Sequence, residues 1–161
     1  MTNKNRFAHA LLPALLVVAA ICGQPTHAAP SGDADLRELS RYELTMTDMR
    51  KFAAANANLA KTERNEDDEG GSDKESLDDM AARIAKIPEA RKAIEAAGLT
   101  PRQYAVITMA LFQAAFAQYA VDQGADPAKV ARDAGVNPAN LRFVKEHKQE
   151  LEKLKGPSGD E

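Results

Sequence analysis

Residues 100–124 read TPRQYAVITMALFQAAFAQYAVDQG, and this stretch decides the fold. Thr100 is a capping residue: its side-chain oxygen accepts a free N–H of a first helical turn, and Gln103 can return a hydrogen bond to the Thr100 backbone. Pro101 suits the first helical position because it has no N–H to leave unsatisfied. From Gln103 to Val121 run 19 uncharged residues. Tyr104, Val106, Ile107, Met109, Leu111, Phe112, Phe116, Tyr119 and Val121 leave almost no polar side, the pattern of a helix surrounded by others. Gly124 supplies the stop. The run approaches the span of a bilayer, but Gln103, Thr108, Gln113 and Gln118 interrupt it and alanine fills much of the rest. The expectation is the central helix of a soluble domain, with no stable membrane span.

C-terminal to this helix the capping device recurs in Asp126-Pro127 and Asn137-Pro138, with Gly135 between them. Helices are expected over 127–134 and from Pro138 to about Leu154. In the last, Leu141, Val144, Leu151 and Leu154 recur at helical spacing among Lys, Glu and Gln, so one face covers the core. The tail, 156–161, is expected to be disordered.

On the N-terminal side, Pro88 opens or interrupts a helix and Gly98 ends it. Ser76 with Asp79 forms a capping box ahead of the apolar face Leu77, Met80, Ala81, Ile84 and Ile87. Thr45 with Asp48 does the same ahead of Met49, Phe52, Ala53, Asn56, Leu59 and Ala60, a helix expected to end near Arg64. Between these two lies ERNEDDEGGSDKE, residues 63–75, with no apolar side chain. Such a stretch buries too little to offset its ordering entropy and is expected to be a mobile acidic loop. Residues 29–44 read as a flexible lead-in, with Leu36, Leu39 and Tyr42 able to begin a short helix.

The first 28 residues have a different character. Lys4 and Arg6 precede an uncharged apolar run from Phe7 to Cys22, and Gly23 to Ala28 ends with small residues at Thr26 and Ala28, as a signal peptidase requires. This predicts a secretory signal peptide over 1–28 and a periplasmic or secreted product. A lipid-modified Cys22 fits less well, because Ile21 stands where a small residue belongs. Cleavage removes Cys22, His9 and His27, the only cysteine and two of three histidines. It also removes two of 21 Lys and Arg and none of 24 Asp and Glu, taking the formal charge from −3 to −5. An acidic chain without a basic stripe argues against nucleic acid or anionic membrane as partner. Without thiols, stability must come from packing.

Chemistry is correspondingly restricted. Nucleophilic catalysis would depend on His147 alone, with no serine in an elbow sequence. Zinc needs clustered Cys and His, and no glycine-rich phosphate loop is present. The paired acids Asp78 and Asp79 read as helix-start residues, so no catalytic residue and no cofactor is expected. The acidic loop places Asn65, Asp67, Glu69 and Gly70 at the first, third, fifth and sixth positions of a calcium loop, with Asp73 at the ninth, but Ser76 stands where the bidentate glutamate belongs. Met49, Phe52, Met80, Met109, Phe112 and Phe116 suit a packed core or the wall of a cavity for an apolar ligand. Tyr104 and Tyr119, near the two ends of the central helix, would supply hydroxyls at its mouth. The candidate ligand set is therefore Tyr104, Met109, Phe112, Phe116 and Tyr119.

Leu99-Thr100-Pro101-Arg102-Gln103 resembles the LTxxQ signature of small periplasmic stress chaperones, and Leu44-Thr45-Met46-Thr47-Asp48 approximates it with Asp in the last place. That resemblance implies a helical protein whose concave surface binds unfolded clients or a sensor kinase. The chaperones follow the motif with a polar amphipathic helix, whereas Tyr104 to Val121 is nearly all apolar. Over the mature length the order of Tyr42 to Thr45, Gly98-Leu99-Thr100-Pro101 and Val136-Asn137-Pro138-Ala139-Asn140 is similar to uncharacterised secreted helical proteins of Gram-negative bacteria. Together these readings give an all-α fold, a compact bundle of five or six helices over 45–155 around the apolar helix. The expected role is non-catalytic binding of another envelope protein or a small apolar ligand.

Overall fold

A computed structural model describes residues 32–62 and 75–154. The described residues form an all-α domain of eight helices: α1 (Gly32–Arg41), α2 (Met46–Leu59), α3 (Leu77–Lys86), α4 (Pro88–Ala96), α5 (Pro101–Asp122), α6 (Pro127–Asp133), α7 (Pro138–Glu146) and α8 (Lys148–Leu154). The signal peptide expected over 1–28, residues 63–74 of the acidic loop expected over 63–75, and the tail expected over 156–161 lie outside the described residues.

Helix starts follow the capping chemistry of the sequence. At Thr45, Ser76 and Thr100 both halves of a capping box are made, with Asp48, Asp79 and Gln103 as the returning side chains. Asp126 and Asn137 cap α6 and α7 by accepting the N–H of Lys129 and Ala139. Gly98 and Gly135 end α4 and α6 at positive φ, 77° and 63°. Leu99 and Val136 then donate back to the carbonyls of Ile94 and Ala131, a closure that a residue with a Cβ adopts only under strain.

The structure corrects three expectations. Part of the lead-in expected over 29–44 is helical: α1 buries Leu39 and Asp35, and Asp35 Oδ2 accepts the Leu77 N–H at 2.9 Å, capping α3 from 42 residues away. That long-range partner left no local pattern to read. The helix expected from Pro138 to Leu154 is broken at His147 (φ −102°, ψ 16°), whose ring lies 4.7 Å from that of Phe143. The bundle accordingly has eight helices among the described residues rather than five or six.

The third correction concerns α5. It is long and apolar enough to cross a membrane by length and composition, and it packs against α1, α2, α3, α4, α6 and α7. It is nevertheless not enclosed. Ala105, Val106, Ile107, Ala110, Ala114, Ala117 and Gln118 are buried, whereas Phe112, Phe116 and Tyr119 are 64%, 67% and 64% exposed. Small side chains let neighbouring helices approach closely, so the alanine stripe faces inward and the bulkier rings at i, i+4 and i+7 are left outside.

Polar latches fix the helices around this axis. Arg102 Nη2 meets Glu38 Oε2 at 2.8 Å and its Nε meets Asp78 Oδ1 at 2.6 Å, joining α1, α5 and α3. Buried Asn140 of α7 accepts the Leu44 N–H through Oδ1 and donates from Nδ2 to the Tyr42 carbonyl, both at 2.8 Å. Asn137 Nδ2 reaches the same carbonyl. The segment between α1 and α2 is thereby hydrogen-bonded to α7 rather than left to solvent.

Candidate functional site

The face of α2 that periodicity marks out is Met49, Phe52, Ala53 and Asn56, at i, i+3, i+4 and i+7. Opposite it stand Leu111, Ala115, Gln118, Tyr119 and Asp122 of α5, and Val144 of α7 with Leu151 and Leu154 of α8 form the third side. Together they line an open apolar groove of about 370 Å³. Met49 is fully buried at its floor. Phe52 stacks on Tyr104, centroids 5.1 Å apart, and the Tyr104 hydroxyl donates to Asn56 Oδ1 at 2.7 Å. Tyr104 therefore braces the α2 wall from behind.

Charge is confined to one end. Gln118 Nε2 donates to Asp122 Oδ1 at 2.7 Å, and Lys148 Nζ lies 3.8 Å from Asp122 Oδ2. Glu152 follows Lys148 by one turn of α8 and also lines the groove. Beside the groove the rings of Phe112 and Phe116 stack at 6.5 Å with 20° between their planes, an exposed aromatic ridge on the next face of α5.

Of the five residues expected to contact a ligand, Tyr119 lines the groove. Tyr104, Met109, Phe112 and Phe116 do not, because the groove opens on the Leu111–Ala115–Gln118 face of α5. Sequence reasoning missed Leu111, Ala115, Gln118, Asp122, Lys148 and Glu152. The available signal was the return of charge at Asp122 after the long uncharged run, together with Lys148 and Glu152 at i, i+4 spacing.

Other candidate chemistry takes plain structural roles. His147 Nδ1 lies 3.0 Å from Glu150 Oε2. The Ser76 hydroxyl serves its capping box with Asp79, whose carboxyl is held below its ordinary range by the Ser76 hydroxyl and backbone N–H. Arg83 makes a two-pronged contact with Glu75, at 2.8 and 2.9 Å, which holds the Glu75 carboxyl below its ordinary range against a smaller opposing effect of burial. Burial, then the nearby Asp48 carboxylate, pushes the Tyr42 hydroxyl up to about 12. Among the described residues no group of three or more His, Cys, Asp or Glu is placed to hold a metal ion. The calcium candidates Asn65, Asp67, Glu69 and Asp73 lie outside the described residues.

The described residues thus form an all-α domain with an apolar groove between α2, α5, α7 and α8 and an aromatic ridge beside it. Comparison of the chain with models of protein families, with curated proteins and with solved structures gave no match.

Proposed function

We propose that the protein is a non-catalytic binding protein of the bacterial envelope, exported by its first 28 residues, and that the α2–α5–α8 groove with its aromatic ridge is the recognition surface. One observation carries the reading: three large aromatic side chains of a single helix stand exposed beside an apolar groove of about 370 Å³. Scattered exposed apolar residues are ordinary, but a contiguous aromatic patch joined to a concave apolar surface marks a binding site. The occupant is an apolar ligand or the apolar face of another envelope protein. The charged side chains of the groove, Asp122, Lys148 and Glu152, sit at one end, and the rest of its lining is mostly apolar.

The chain contains no tryptophan, so an apolar fluorescent probe can be read without interference. N-phenyl-1-naphthylamine is expected to brighten and saturate near one per protein. The double substitution Ala53→Leu, Ala115→Leu fills the groove from two sides and is expected to abolish the signal while leaving helicity unchanged. A probe that does not bind, or binds the filled variant equally well, contradicts the proposal. N-terminal sequencing of the exported product should begin at Ala29.

The ridge also favours a second reading, an LTxxQ-type stress chaperone that holds unfolded clients by their apolar segments. It predicts that near-stoichiometric protein suppresses aggregation of a reduced, denatured client and that Phe112→Ser with Phe116→Ser removes the effect.

A further inference from the structure

We infer that the protein has a second ligand site, apart from the groove, in an open pocket of about 530 Å³ between α1, α6 and α7, and that it takes a small apolar molecule carrying one carboxylate.

The apolar body is assigned by the floor. Ala131 of α6, Val136 of the following turn and Leu141 of α7 are buried core residues that also line the pocket, and Pro127 and Pro138 add ring surface at its sides. A molecule seated on them leaves water on one face, and the volume lies within the range of small-ligand sites.

The charge is assigned by the rim. Among the described residues that line the pocket, Arg132 and Arg142 are basic and none is acidic, although the whole chain is acidic. The two acids of α6 and its cap do not line it and are engaged elsewhere. Asp126 Oδ1 accepts the Lys129 N–H at 2.7 Å, and Asp133 Oδ2 lies 2.8 Å from Lys129 Nζ. Arg132 Nε is only within 3.9 Å of Asp133, so its guanidinium keeps most of its donors, and Arg142 makes no ion pair among the described residues. An anion entering here meets two guanidinium forks, each of a shape that grips a carboxylate through both oxygens.

Other donors are scarce, which selects a carboxylate over a phosphate. The Ser40 hydroxyl spends its hydrogen on the Arg37 carbonyl. Pro127 and Pro138 have no N–H, and those of Gly135, Val136 and Leu141 close helical turns on Arg132, Ala131 and Asn137. A phosphate, with more acceptor oxygens and a second charge, ordinarily draws on backbone N–H groups as well.

Isothermal titration with sodium 2-naphthoate, uncharged 2-naphthamide and 2-naphthyl phosphate, near neutral pH and at low ionic strength, tests the assignment. Naphthoate is expected to bind one per protein and about tenfold tighter than the amide, with the difference shrinking as salt is added. Arg132→Gln and Arg142→Gln should each weaken naphthoate about threefold and leave the amide unchanged. Ala128→Phe, at an exposed position of the α6 wall, should block the pocket and abolish binding while circular dichroism stays the same. Amide binding as tight as naphthoate, or naphthyl phosphate binding tighter, overturns the assignment of charge. No naphthoate binding, binding that survives Ala128→Phe, or displacement of N-phenyl-1-naphthylamine from the groove by naphthoate overturns the site. The groove reading fails on a different result, the absence of naphthylamine binding, so either proposal can fall without the other.

Discussion

The two halves of α5 are both largely apolar and have opposite fates. Up to Ala110 the helix is covered from several sides: Arg102 is tied to α1 and α3, Tyr104 to α2, and Ala105, Val106 and Ile107 are buried in succession around the helix. Beyond Leu111 only the Ala114, Ala117 and Gln118 side is buried, and Phe112, Phe116 and Tyr119 face outward. Hydrophobicity therefore did not decide which side of α5 went inside. Closeness of approach did: a helix presenting alanine can be packed more tightly than one presenting phenylalanine, and the rings remain for something other than the core.

The contrast is broken or sharpened first by truncation. Ile107→Ala, at a position 1% exposed, is expected to cost about 2–5 kcal/mol, the range for emptying a packed site. Phe116→Ala should stay within about 0.5 kcal/mol of the parent, as for other exposed positions. Urea unfolding followed by circular dichroism compares the two, and equal losses would mean that the ridge belongs to the core. Next in size is Asn140→Leu. It strands the Leu44 N–H and removes one of two donors from the Tyr42 carbonyl, for about 1–3 kcal/mol per group left without a partner. Thr100→Ala should remove about 1 kcal/mol by uncapping the buried half of α5, and Thr100→Ser should recover most of it.

The smallest effects are those of pH. The Glu75 carboxyl is held below its ordinary value by Arg83. Its contribution to stability is present above the unfolded carboxylate range and is lost as pH falls through the lowered folded value. Glu75→Gln should therefore flatten the acid limb of the stability curve and leave the limb above neutrality unchanged. For Tyr42, pushed up to about 12 by burial and by Asp48, the sign is opposite. The neutral phenol is favoured in the fold, so its contribution is full below the ordinary tyrosine value and fades as pH climbs toward 12. Tyr42→Phe should shift alkaline unfolding, followed by circular dichroism, upward in pH.

Much of this architecture was legible because its signals are local. Capping boxes at Thr45, Ser76 and Thr100 and the proline-started helices at Pro101, Pro127 and Pro138 need only four neighbouring residues. Two walls of the groove were legible too. Met49, Phe52, Ala53 and Asn56 lie on the face that periodicity assigns to α2, and Val144, Leu151 and Leu154 on that of the final helices. The third wall was not. With apolar side chains all round, α5 carries no amphipathic signal, so counting hydrophobic residues placed Phe112 and Phe116 inside and overlooked Ala115 and Gln118. Helix α1 escaped for a different reason: the contact of Asp35 with Leu77 spans 42 residues, and no pattern within one turn announces it.

The central claim is that the aromatic ridge of α5 is open to solvent in the free protein. Solvent relaxation measured by nuclear magnetic resonance with a soluble paramagnetic agent tests it directly, using the rings of Phe112 and Phe116 against the methyl groups of Ile94 and Ile107. The account predicts strong relaxation of both rings and little of the isoleucine methyls in the same monomeric sample. Rings as protected as the isoleucines would contradict it.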